Sequence, residues 1–260
     1  MKQILFSVLS LVAIVSIACS CASCKNASKT AAEPDTVALV GPTFRADSAY
    51  MFAAKQCEFG PRVMNSAAHD RCGEWIMQKF REFGMSVEAQ DAELKGWDGT
   101  MLRSRNIIAR FRPEQTTRIL LCAHWDSRPW ADNDPDSTNW RRPVMAANDG
   151  ASGVAVMLEL ARLLNNPANK TAIGVDFICF DAEDYGVPQW SDTQDDGNSF
   201  ARAAQYCAAD IPHGYAPRSG ILLEMAGCQG AQFYRAGVAV QHASSVVREV
   251  WRAARNAGNG

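Results

Sequence analysis

The chain has 260 residues, 47% hydrophobic and 21% charged, with a formal net charge of −2. That composition excludes disorder and a fibrous repeat and leaves room for one large domain with a buried core. With no dense Lys/Arg block, the electrostatic footprint of a nucleic-acid binder is missing, and a small or peptidic substrate fits better.

Met1-Lys2-Gln3 followed by apolar residues 4–18 predicts a secretory leader over residues 1–24: a basic start, a hydrophobic segment too short to span a bilayer comfortably, then small residues. The mature protein is therefore expected outside the cytoplasm, in the periplasm or cell envelope. Cys19, Cys21 and Cys24 stand among Ala18, Ser20, Ala22 and Ser23, a setting similar to the lipid-attachment site of a bacterial lipoprotein, although Ser16 stands where Leu is usual. A lipid anchor and a plain cleaved leader remain alternatives, and such an anchor is the single membrane contact expected. Residues 25–40, rich in Ala, Ser, Thr, Lys and Pro, read as a polar linker, and a single folded domain is expected over 41–260.

Within that domain, Cys72, Trp75, Ile76, Phe80 and Phe83 follow a helical period, with Ser66 to cap the start and Gly84 to end the helix. Strands are expected at 85–90, 106–111, 119–123, 175–180 and 220–223, with helices at 153–164 and 198–207 between them. A last helix over 243–257 places Val246, Val247, Val250, Trp251 and Ala254 on one side. Strands alternating with helices predict an α/β domain of three layers, αβα, around a mixed, mainly parallel sheet. The six cysteines beyond the leader, Cys57, Cys72, Cys122, Cys179, Cys207 and Cys228, read as core residues, since no CxxC pair offers metal-ligand spacing; disulfides stay open.

Three strand ends carry the chemistry. His124 and Asp126 follow the strand at 119–123, Asp149 lies in Asn148-Asp149-Gly150 just before a helix, and Glu183-Asp184 follow the strand at 175–180. An imidazole and carboxylates at the carboxyl ends of parallel strands meet in one crevice, as a hydrolytic-type zinc centre requires. Asp149 by itself serves equally as a helix cap. Adjacent Glu183 and Asp184 repel each other, a costly pairing in a crevice unless one binds a cation and the other handles a proton.

The segments AHWDSRPWADND (123–134), AANDGASGVAVMLELARLL (146–164), FDAEDYG (180–186) and LLEMAG (222–227) resemble, in order and spacing, the zinc-dependent glutaminyl cyclases, or glutaminyl-peptide cyclotransferases, of the zinc aminopeptidase clan. The likeness covers the chain from residue 45 onward. It implies one Zn²⁺ held by Asp149 and Asp184, Glu183 as general acid/base, and Glu224 in the proton network where the clan usually has Asp. It implies Trp190 as the substrate-pocket tryptophan, with core packing as its alternative, and His124 near the site, where aminopeptidases hold a second metal. The family's last ligand, a His, is implied beyond residue 260, so the domain is expected to be C-terminally incomplete and its zinc weakly held; His69, His213 and His242 match no ligand position. The expected substrates are peptides or proteins with N-terminal Gln, acted on by a monomer. Two rivals remain: a two-metal aminopeptidase using His124, Asp149 and Glu224, and a non-catalytic envelope binding protein.

Overall fold

The computed structural model describes residues 41–257, within one compact unit, Leu39–Gly260. The expected leader and the whole of the expected linker, with Cys19, Cys21 and Cys24, lie outside the described residues. Five strands form one sheet: β1 (Ser86–Lys95), β2 (Met101–Phe111), β3 (Arg118–His124), β4 (Gly174–Phe180) and β5 (Ser219–Leu222). Their spatial order is β1-β2-β4-β3-β5. β2 runs antiparallel to both β1 and β4, whereas β3 is parallel to β4 and β5. The sheet is mixed as expected, with its parallel part confined to the three strands that deliver the candidate site.

The alternation of side chains along these strands builds two cores. Ile107, Ala109, Leu121, Ala123, Val175, Phe177 and Cys179 face one way and pack against α2 (Ala67–Glu82) and α3 (Ala151–Leu164). Ile108, Cys122 and Ile178 face the other way and meet Cys207 of α4 (Arg202–Ala209). Ser66 caps α2 as its sequence predicts, its Oγ accepting from the His69 N–H at 3.1 Å, and Gly84 follows the helix at φ +73°. At Gly153 an added Cβ would stand 2.5 Å from the Leu223 carbonyl oxygen and 2.7 Å from Ala123 Cβ, which is how closely α3 lies on the sheet.

Several elements differ from expectation. α1 (Ala46–Glu58), lying along α3, has no counterpart among the predicted helices. β1 and β2 extend into a long hairpin closed by a turn in which Gly96 N–H donates to the Thr100 carbonyl at 2.8 Å and Gly99 takes φ +86°. α4 starts at Arg202 and not at 198, because Ala201 sits in the left-handed region at φ +52°. α5 (Gly237–Asn256) starts earlier than expected and kinks at Ala243; of its predicted apolar side only Val247 is buried. The six cysteines are free thiols; Cys72, Cys122, Cys179 and Cys207 are core residues, whereas Cys57 is half-buried and Cys228 exposed. Among the described residues, no helix is long and apolar enough to cross a membrane.

Candidate active site

Register places the site. His124, the last residue of β3, lies opposite Phe180, the last of β4, and Cys122 lies opposite Leu222, the last of β5. The loops leaving these strands therefore start side by side, and each carries an acid. His124 is 2% exposed. Its Nδ1 is 3.3 Å from Asp126 Oδ1, and its Nε2 is 2.8 Å from Asp149 Oδ1 and 3.4 Å from Glu224 Oε1. One ligand-type atom from each of His124, Asp149 and Glu224 lies within 4.8 Å of the other two.

Asp149 is no cap: the N-cap of α3 is Gly150, at φ +101° and without a side-chain hydrogen bond. Glycine is required there because a Cβ would lie 2.7 Å from the Asp126 carbonyl oxygen. Buried Arg62 ties this loop to the end of β3, donating to the carbonyls of Trp125 (3.3 Å), Met145 (2.6 Å) and Ala146 (2.7 Å).

The turn after β4 is held from its backbone. Fully buried Asp126 accepts from the N–H groups of Glu183 and Asp184, both at 3.1 Å. Asp184 Oδ1 accepts from Arg128 Nη1 at 3.2 Å. Arg128 is itself clamped by Asp132 through two hydrogen bonds of 2.6 Å, and Asp132 Oδ2 also accepts from Gln189 N–H at 2.9 Å, beside Trp190. Trp190 is half-buried, stacked on Trp140 with ring centroids 6.2 Å apart, edge-on to Trp130 at 5.8 Å, and 4.8 Å from the Arg141 guanidinium.

These surroundings set the charges. Burial pushes the Glu183 carboxyl up to about 7; His124 opposes this, and Asp126, Glu224 and Asp149 reinforce it. Burial, then Asp126, Asp149 and Glu183, lift Asp184 to about 8 against the pull of Arg128. Burial disfavours the His124 cation, but hydrogen bonds to Asp126, Asp149 and Glu224 carry it well above 6.5. The hydrogen bond from His124 in turn holds Asp149 below the usual carboxylate range. Asp126, Asp149, Glu183, Asp184 and Glu224 thus crowd around one imidazole and one guanidinium that Asp132 already engages. Such a cluster offers the oxygen and nitrogen donors that a divalent metal ion takes.

Asp149, His124 and Glu224 are therefore brought together; Glu183 borders them, its Oε2 3.9 Å from His124 Nδ1, and Asp184 is turned toward Arg128. Sequence reasoning missed Arg62, Arg128 with Asp132, and the pair His69–Asp181. The spacing of Arg128 and Asp132, in the run WDSRPWAD, was the available signal for one of them.

The model of Peptidase family M28 matches residues 106–260. A Bacteroides thetaiotaomicron glutaminyl cyclase, solved with N-acetylhistamine bound, is 44% identical with a TM-score of 0.82, covering 85% of this chain and 75% of that one. A Zn-dependent exopeptidase from Parabacteroides distasonis is 45% identical with a TM-score of 0.81, covering 84% of this chain and 74% of that one. The glutaminyl-peptide cyclotransferase of Drosophila melanogaster is 28% identical over 131 residues, 48% of this chain and 33% of that protein. The chain spans only about a third of the curated relatives it matches, 32% and 33% of two of them.

Proposed function

Because the chain belongs to Peptidase family M28, we propose that it works there as a glutaminyl-peptide cyclotransferase, converting the N-terminal Gln of peptides to pyroglutamate with release of ammonia. The observation that carries this over a peptidase is the group of solved bacterial glutaminyl cyclases this chain is similar to, that of Porphyromonas gingivalis at 43% identity among them. The likeness to glutaminyl cyclases at about two-fifths identity supports the same reading.

On the family resemblance Asp149 and Asp184 would hold one zinc ion, which when bound supplies Lewis-acid polarisation of the γ-carboxamide carbonyl; the Asp184 carboxylate, here on Arg128, stands outside the group formed by His124, Asp149 and Glu224. Glu183, raised to about 7, is poised near neutrality to act as base and then as acid. It takes a proton from the α-amine as that nitrogen bonds to the δ-carbon, the carbonyl carbon of the side-chain amide, and it returns a proton to the amide nitrogen, whose bond to that carbon breaks so that it leaves as ammonia. Glu224, one methylene longer than Asp, reaches His124 and completes the carboxylate side of the proton network. Trp190 and the aromatic rings around it form an apolar wall for the substrate. Export of the mature chain, with or without a lipid on Cys19 or Cys21, fits peptide substrates and belongs to this reading.

The gathering of His124, Asp149 and Glu224 and the exopeptidase among the neighbours favour a second reading, the two-metal aminopeptidase. One assay separates them: the zinc-loaded chain is incubated with a Gln-initiated peptide, and ammonia, pyroglutamyl product and free amino acids are measured beside the metal content. Cyclisation at about one zinc per chain is expected. Free amino acids at about two zinc ions per chain would replace this reading with the peptidase, and no turnover of either kind would leave the binding protein.

A further inference from the structure

We propose that His69 is a positioning residue for the catalytic turn, holding through Asp181 the backbone from which Glu183 and Asp184 project; its kinetic part rests on the cyclase reading above. His69 lies in the first turn of α2, its side chain 3% exposed, its ring stacked on Trp125 at 4.2 Å. Its Nε2 meets both carboxyl oxygens of Asp181, at 2.9 and 3.0 Å. Nδ1 makes no hydrogen bond and lies 3.5 Å from the exposed Asp70 carboxylate, so the buried hydrogen bonds of the side chain go to Asp181. It makes no hydrogen bond to Glu183, Asp184 or Asp149 and therefore acts at one remove.

Asp181, fully buried, spends its remaining acceptor capacity on backbone. Oδ1 accepts from Ala182 N–H at 2.9 Å and Oδ2 from Arg105 N–H at 2.7 Å, while Asp181 N–H donates to Asn106 Oδ1 at 3.0 Å. Together with Asp126, which takes the next two N–H groups, two buried carboxylates hold three successive amides, those of Ala182, Glu183 and Asp184. The grip is needed because Ala182 sits in the left-handed region at φ +46°, where a residue with a Cβ stays only if its surroundings over-determine it. Without His69, Asp181 would be a buried carboxylate lacking its side-chain partner, and it would turn or take up a proton, releasing Ala182.

The test compares His69→Gln, whose amide nitrogen reaches the same carboxylate, with His69→Phe, which keeps the stack on Trp125 and removes the donor. Steady-state cyclisation of a Gln peptide and amide exchange over residues 180–186 are measured for both. His69→Phe is expected to lower kcat about a hundredfold, the scale of an ångström of misplacement, with KM within about threefold. Its Ala182 and Glu183 amides should exchange about tenfold faster while those of α3 keep wild-type rates. His69→Gln is expected to restore both. Wild-type kcat and exchange in a folded His69→Phe, or equal damage in His69→Gln, would overturn the proposal. Should His69→Phe fail to fold, Asp181→Asn takes its place with the same expected losses. If the wild-type chain does not cyclise Gln, the cyclase reading fails, and the exchange data alone still decide the positioning role.

Discussion

Glu183 and Asp184 are neighbours in sequence, yet their side-chain surroundings differ: Asp184 accepts from Arg128, while Glu183 faces His124 and the other carboxylates. Replacing Glu183 with Gln should lower kcat by about 10²- to 10⁴-fold, the range of a lost general acid/base, with zinc content unchanged; equal turnover in steady-state assays would assign the proton transfer elsewhere. Asp132 links the Arg128 that meets Asp184 to the Gln189 N–H beside Trp190. Asp132→Asn should cost about 3–5 kcal/mol, the penalty for breaking a buried pair, and raise KM, read from denaturant melts and kinetics. His124, Asp149 and Glu183 could be singled out in the sequence because each follows a strand or precedes a helix, whereas Glu224 came from the family resemblance. His69 was not, because Asp181, the partner that gives it a role, lies 112 residues away.

At the scale of elements, α3 shows packing overriding propensity. Ala in place of Gly in a helix interior normally stabilises by about 1 kcal/mol. At Gly153 the added methyl would meet the Leu223 carbonyl and Ala123, and backbone on the sheet cannot step aside. Gly153→Ala should therefore destabilise by about 1–3 kcal/mol in urea unfolding, and a stabilised variant would mean that α3 stands farther off the sheet. The strands β3 and β4 were readable as apolar runs because both faces are covered. The outer half of β1 was not, since its residues are exposed or only half-buried and no apolar alternation marks them. α1 escaped for a similar reason: only Ala49 and Gln56 of its 13 residues are buried, too few to print a helical stripe.

Across the whole molecule, ionisation couples the site to stability. Burial raises the folded values of Glu183 and Asp184 to about 7 and about 8, so between the unfolded carboxylate range and pH 8 the metal-free native state binds more protons than the unfolded chain, and its stability falls as pH rises. Asp132 and Glu159 act on the other limb: burial disfavours their charge, but Arg128 and Arg162 outweigh it and hold both below their ordinary values of 3.8 and 4.5, so their contribution is lost as pH drops through those lowered values. The metal-free protein should melt highest near pH 5, and zinc should raise Tm more at pH 8 than at pH 5; a gain independent of pH in thermal scans would contradict the assignment of Glu183 and Asp184 to the metal's surroundings. The sequence by itself determined the α/β class and the strand-end acids, because periodicity and position along a strand are local properties. Only the tertiary structure decided that Gly150 and not Asp149 caps α3, that Asp184 faces Arg128, and that His69 stands behind the turn, because each depends on which loops the sheet's register brings side by side.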